Sequence, residues 1–307
     1  MSRPLPIPTA RPVAAADDVP PEQGDTRVGY RLRLAAAAAL FSTGGTAIKA
    51  SALTAWQVAS FRSGVAALAV LIFLPAARRR VDRRVMMVSV SYAVTMVLFV
   101  GSNKNTTAAN AIFLQATAPL YVLFLSPWLL RERIHRGDVV AMGVLALGLA
   151  LVVLGTSPAG HTAPHPMFGN ILALLAGLTW ALTMVGLRWL STSANGEQAT
   201  LSTVVVGNGL ASLVCLPAAL PVMGATTMDW TVIIYLGLIQ IGLAYYLMTS
   251  GIKGVPAFEA SMILLIEPAL SPIWAWLVHG ERASLLTILG GSLILGATVV
   301  RSARRRV

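Results

Sequence analysis

The stretch Ala108–Val152 recurs: moved forward by 149 positions, it falls without a gap on Ala257–Arg301. In that register Lys104 meets Lys253, Ala108 meets Ala257, Ala111 meets Ala260, Pro119 meets Pro268, and Glu132-Arg133 meets Glu281-Arg282. Alanine matches carry little in so apolar a chain. The lysine, proline and Glu-Arg matches in one register indicate an internal duplication, which has to be settled before anything else. Each copy reads as an apolar helix broken near its middle by proline, a short Glu-Arg turn, and a second apolar helix rich in small residues. The first helices of the two halves also match, at an offset of 139, where Phe41 meets Trp180 and Lys49 meets Arg188. In a membrane chain, such duplication points to a transporter.

Lipid is the solvent this sequence demands. Of its 307 residues 56% are hydrophobic and only 11% charged, with a mean hydropathy of +0.73; a soluble chain would be about a quarter charged. Ten runs approach the roughly 20 residues that cross a hydrocarbon core. They lie near 32–49, 55–75, 85–103, 107–129, 136–155, 168–189, 198–220, 230–250, 256–278 and 284–302. Their lengths favour helices over the shorter alternating strands of a barrel. The expected fold is therefore all-α and integral to the membrane, with ten transmembrane helices as two inverted five-helix repeats. The expected boundaries are a disordered cytoplasmic tail over 1–29, repeats over 30–156 and 157–302, and a basic cytoplasmic tail over 303–307. The first tail is rich in proline and acid and has no apolar periodicity. It does not read as a secretory signal, because no cleavage pattern follows the first apolar run.

Positive charge sets the expected orientation. With the N-terminus inside, the inner segments hold Arg27, Arg31 and Arg33, the run Arg78–Arg84, Arg131, Arg133 and Arg136, Arg188, Lys253, and Arg301 to Arg306; the outer ones hold only Lys49, Lys104 and Arg282. Both termini are then cytoplasmic, in a bacterial inner membrane. Five spans per half is an odd number, so the two copies must cross in opposite directions. The net charge of +11 is accounted for by this inner-face distribution and does not call for nucleic acid.

Several residues could carry chemistry. Pro119 and Pro268 leave the carbonyls of Gln115 and Leu264 without their usual donors, either as hinges beside a cavity or as fixed kinks. Arg62 and Glu267 are the charges nearest mid-membrane, and either alone costs about 2.5–3.5 kcal/mol on insertion scales. Glu259 and Glu267 share one helical stripe. Glu267 reads either as a group that takes up a proton or pairs with a substrate amine, or as a structural partner of Arg62 or a carboxylic acid kept neutral by burial. Asn110, Phe113 and Thr117 share a face of the fourth helix with Tyr121, and Tyr92, Met96 and Phe99 share one on the third. Trp180 and Met184 do so on the sixth, and Gln240 and Tyr245 are the counterparts on the eighth. Aromatic walls with a few hydrogen-bonding groups suit a zwitterion with an apolar side chain; the alternative for each is ordinary bundle packing. Gly143, Ala146, Gly148 and Ala150, and Gly290, Gly291, Ser292 and Gly296, mark the fifth and tenth helices as packing helices, with a homo-oligomer contact as one use.

The four histidines (His135, His161, His165 and His279) share no face with acids at ligand spacing, so no metal and no cofactor is expected. Cys215 is alone, so a disulfide framework is excluded. A P-loop pattern is lacking.

Two five-helix halves, each with a Pro-broken helix, a Glu-Arg turn and a small-residue helix, resemble the drug/metabolite transporter superfamily, specifically its ten-helix members with paired EamA-type domains. Phe41-Ser42-Thr43-Gly44 stands where that family more often has Trp-Gly. Arg62 matches its second-helix arginine, Pro119 and Pro268 its helix-four and helix-nine prolines, and Glu132 and Glu281 the glutamates that close those helices. The resemblance covers about residues 30–302. It implies a secondary transporter with alternating access, not an enzyme, around a midplane site built from helices 1–4 and 6–9. Phe41 joins the site residues on that ground. The group it looks most like is the bacterial exporters of aromatic and large neutral amino acids. The alternatives are a nucleoside, sugar or drug transporter of the same fold and, outside the class, a membrane-embedded lipid enzyme or a channel.

Overall fold

The computed structural model describes residues 24–78, 81–106, 108–129, 136–155, 164–193, 195–279 and 285–304. Among them the regular structure is helical, and it resolves into ten units. These are α1 (Gly24–Phe41, then Gly44–Ala50 after a turn), α2 (Ala55–Phe73), α3 (Arg83–Asn105), α4 (Ala108–Gln115 and Ala118–Leu129) and α5 (Arg136–Gly155). The second five are α6 (Pro166–Ser191), α7 (Gly196–Ala219), α8 (Thr227–Gly251, with a π-helical stretch over Leu236–Leu243), α9 (Ala257–Leu264 and Ile266–His279) and α10 (Leu285–Arg304). Six of them, α2, α3 and α6 to α9, are each long and apolar enough to cross a membrane unaided. α1 begins at Gly24, inside the segment expected to be tail. The Glu132-Arg133 and Glu281-Arg282 turns, with His135 and His161, lie outside the described residues.

Helix directions follow from which ends meet. α3 and α6 are antiparallel: Ser91 Oγ donates to the Thr179 carbonyl at 3.0 Å, and further along α3 the Thr106 hydroxyl reaches Asn170 Oδ1 at 2.8 Å. α2 and α7 are antiparallel too, since Gln57 Nε2 reaches the Ala219 carbonyl while Ser202 Oγ reaches that of Ala77. α1 runs against α8, with Gln240 beside the Phe41 carbonyl and Gly251 beside Leu34. By contrast α3 and α7 are parallel, as Ser89 meets Thr203 and Tyr92 meets Asn208. α2 and α8 are parallel as well, with Gly237 against Val65 and Gly242 against Val70.

These relations are those of ten alternating crossings, and they put α1 opposite to α6 and α2 opposite to α7. Adding five to each helix number maps the contacts onto themselves. The α3–α6 contact becomes α8–α1, α3–α7 becomes α8–α2, and α2–α7 and α5–α10 map to themselves. The duplication read from the sequence is thus a pseudo-two-fold arrangement of inverted halves.

Large apolar side chains such as Leu68, Ile72, Leu213 and Val214 remain exposed on the outside of the bundle, as a lipid-facing surface requires. The polar devices are at the helix ends. Thr54 and Gln57 form a capping box at the start of α2, and Thr226 and Asp229 form another at the start of α8. α5 and α10 approach closely at one level, where a Cβ on Gly148 would lie 2.9 Å from the Gly290 carbonyl oxygen, whereas one on Gly143 or Gly296 would meet nothing within 4 Å among the described residues.

Candidate substrate site

Four departures from regular helix fall inside the helical units, away from both ends. α1 turns after Phe41, α4 turns at Ala116-Thr117, α8 widens into the π stretch, and α9 turns at Leu265. Irregular backbone within a membrane span persists where protein or a cavity covers it, and π segments gather at functional sites. All four irregularities border one small cavity. Its wall holds Phe41 from α1, Arg62 from α2, Met96 and Phe99 from α3, Gln115 from α4, Trp180 from α6, Gln240, Ile241 and Tyr245 from α8, and Glu267 from α9. The seven helices that contribute come from both halves.

The charges on this wall are poorly matched by protein. Arg62 is 1% exposed, yet its Nη2 has only distant contacts, 3.5 Å to the Met96 carbonyl and 3.6 Å to the Met96 sulfur. Its guanidinium carbon stands 5.9 Å from the Phe99 ring centroid, and Nε has no partner. Contacts of that length are weak hydrogen bonds at best. Glu267 lies on the same wall, and among the described residues no ion pair joins it to Arg62. Gln240 is 4% exposed and its buried Oε1 has no partner. A cationic donor, a carboxyl group and a neutral acceptor therefore face one space.

The remaining wall is aromatic. Phe41 stands edge-on to Trp180 at 6.3 Å and to Tyr245 at 5.0 Å between ring centroids, and Trp180 is edge-on to Tyr245 at 6.1 Å. Phe41 and Trp180, matched by the repeat register, thus meet across the pseudo-two-fold axis. Tyr92 lies behind the wall, 4.7 Å from Tyr245. Asn208 Nδ2 donates to its hydroxyl at 2.7 Å.

Eight of the expected site residues, Phe41, Arg62, Met96, Phe99, Trp180, Gln240, Tyr245 and Glu267, border the cavity. Tyr92, Phe113 and Met184 are fully buried packing around it. Asn110 is half-buried in the first turn of α4. Thr117 and Pro119 border a different space, an apolar crevice of about 400 Å³ between α4, α5, α9 and α10. Thr117 stands in the turn of α4, where the helix face is reset; Asn110 shares the regular segment Ala108–Gln115 with Gln115 but, five residues away, lies on another of its faces. The turn at Leu265 likewise separates the two glutamates. Glu259 stays in the first turn of α9, where its Oε1 accepts from Arg31 Nε at 2.7 Å.

Pro119 and Pro268 lie just beyond the two turns and are buried. Gly177 of α6 backs the first of them, with a would-be Cβ 3.1 Å from the Gln115 carbonyl oxygen. Ser42 in the α1 turn accepts from Trp274 Nε1 at 2.6 Å, a contact between halves that the sequence alone does not disclose. No group of three or more metal-ligating side chains occurs among the described residues.

A family model described as the EamA-like transporter family matches residues 31–154 and again residues 167–302. The chain belongs to this family. It is a membrane transporter built on a duplicated EamA domain. An uncharacterized transporter from Archaeoglobus fulgidus is 29% identical over 76% of this chain and 81% of its own length. The pseudopaline exporter CntI of Pseudomonas aeruginosa is 24% identical over 83% of this chain and 88% of its own. The threonine/homoserine exporter RhtA of Escherichia coli is 24% identical over 79% and 80%. One solved crystal structure superposes with a TM-score of 0.73 at 18% identity, covering 91% of this chain and 98% of that one, which shows the shared fold.

Proposed function

We propose that this EamA transporter exports amino acids, favouring large neutral or aromatic side chains, by alternating access. The observation that carries the reading is the pair Arg62 and Glu267 on one aromatic-walled cavity, without an ion pair between them. Buried charges are expected to be paired; a zwitterion pairs both at once. The substrate carboxylate docks on Arg62, through Nε and Nη2, and the ammonium on Glu267 and Gln240 Oε1. The apolar side chain packs on Phe41, Trp180 and Tyr245. The threonine/homoserine exporter among the relatives supports the amino-acid class, though not the aromatic preference.

The cavity measures about 30 Å³, roughly one water's share of the liquid. Admission of an amino acid therefore needs the halves to move apart. The turns beside Pro119 and Pro268 supply the bending points, because neither proline can donate to the carbonyl four residues back. The first repeat over 30–156 and the second over 157–302 rock about the site, with both termini in the cytoplasm of a bacterial cell and export running outward.

Uptake into purified proteoliposomes, measured against amino acids, nucleosides and sugars, tests this. Saturable uptake of large neutral amino acids is expected. Uptake of nucleosides or sugars alone would remove the substrate assignment and leave the fold.

A further inference from the structure

We propose that the Arg31–Glu259 ion pair is a latch that holds the two halves together at the N-terminal face of the transporter and opposes its opening. The proposal rests on the alternating-access reading above. It concerns two residues that border neither the cavity nor the crevice.

Arg31 belongs to the first half and Glu259 to the second, so the 2.7 Å contact ties the halves together. The two side chains are only 11% and 5% exposed. They lie at the beginnings of α1 and α9, which alternate crossing puts on the same face. Between them and the cavity come Leu34 and Met248, both fully buried, and then Tyr245 and Tyr92. Among the other basic contacts at this face, Lys253 reaches Glu197 at 2.7 Å and Arg188 donates to the Ile252 carbonyl at 2.9 Å within the second half, while Arg84 lies over the Trp189 ring across the halves at 5.0 Å.

The pseudo-symmetry supplies the control. At the offset of 139 Arg31 corresponds to Asn170, and at 149 Glu259 corresponds to Asn110. The opposite face is thus built from neutral amides at the matching places, and Asn170 Oδ1 accepts from the Thr106 hydroxyl at 2.8 Å. The matching places thus hold a buried charge pair on one face and neutral amides on the other, where Asp229 joins the halves instead by accepting from Ser51 Oγ and Ala52 N. Separating a buried ion pair leaves two charges uncompensated, whereas separating neutral groups leaves the smaller deficit of unmade hydrogen bonds. Opening the N-terminal face therefore carries the cost of parting Arg31 from Glu259, a cost that Asn170 and Asn110 do not impose at the matching places.

The test is thiol accessibility in vesicles of known orientation. The parent protein carries Cys215→Ser and Gln115→Cys, and the probe is a membrane-impermeant charged methanethiosulfonate applied from one face at a time. Glu259→Gln is expected to speed labelling from the N-terminal face on the order of tenfold, within the range of ordinary conformational coupling. Labelling from the opposite face should not rise. The exchange Arg31→Glu with Glu259→Arg should bring the rate back towards the parent value. Labelling unchanged by Glu259→Gln, faster from both faces, or not restored by the exchange would overturn the latch. No substrate enters the measurement, so an error in the substrate class leaves the result standing.

Discussion

Replacing Arg62 by methionine separates a binding role from a packing role. A charged group at this depth costs about 2.5–3.5 kcal/mol on insertion scales. In this protein the cost is offset only by contacts of 3.5 and 3.6 Å to Met96 and a ring 5.9 Å away. Exchanging buried ionic groups for apolar ones of similar size is often neutral, or stabilising by about 1–4 kcal/mol. Arg62→Met should therefore leave thermal stability in detergent unchanged or raised. A hydrogen bond to a charged group contributes about 1.5–3 kcal/mol, so loss of the carboxylate dock should weaken substrate binding by about 10- to 150-fold. The assay is a melting curve with and without a large neutral amino acid, run beside proteoliposome uptake. A variant with a lower melting temperature and undiminished uptake would refute the reasoning, because Arg62 would then be holding the bundle together.

Glu267→Gln keeps the shape of the side chain and removes its charge; uptake at saturating membrane protein should fall by about tenfold or more while the variant remains folded by circular dichroism. Gly237→Ala would place a Cβ 2.5 Å from Val65 Cγ1 and 2.9 Å from the Arg62 carbonyl oxygen. Overpacking of that kind costs about 1–3 kcal/mol, and both melting temperature and substrate affinity should drop together. Pro119→Ala with Pro268→Ala returns a donor to each freed carbonyl, so turnover should slow with little change in KM. Asp229 accepts from Ala52 N, Ser51 Oγ, Thr226 N and Thr226 Oγ1, all at 3.0 Å or less. Asp229→Ala should destabilise the protein by about 3 kcal/mol in a detergent unfolding series, leaving the affinity of any protein still folded unchanged.

Much of this architecture was legible in the sequence, for definite reasons. Span length and the low share of charged residues specify a helical membrane protein, and the register of Lys104, Pro119 and their counterparts discloses the duplication. An odd number of spans per half then forces inversion. The site was legible as helix faces only while the helix stayed regular. Trp180 lies in an uninterrupted helix and borders the cavity. The periodicity that groups Thr117 with Asn110 ends at Ala116-Thr117, and Gln115, just before that turn, borders the cavity. Glu259 and Glu267 were joined by the same extrapolation across the turn at Leu265. The π stretch that turns Gln240 inward has no sequence signature, and the contacts Arg31–Glu259 and Trp274–Ser42 join residues 228 and 232 positions apart, beyond any local pattern.

The measurement that bears most directly on zwitterion recognition is equilibrium binding to the purified transporter of one large neutral amino acid, set beside its N-acetyl and its amide derivatives. Arg62 and Glu267 each engage one end of the molecule, so each derivative should bind at least about tenfold more weakly. Glu267→Gln should erase the penalty for N-acetylation alone, and Arg62→Met that for the amide alone. Equal binding of the free amino acid and both derivatives would contradict the account.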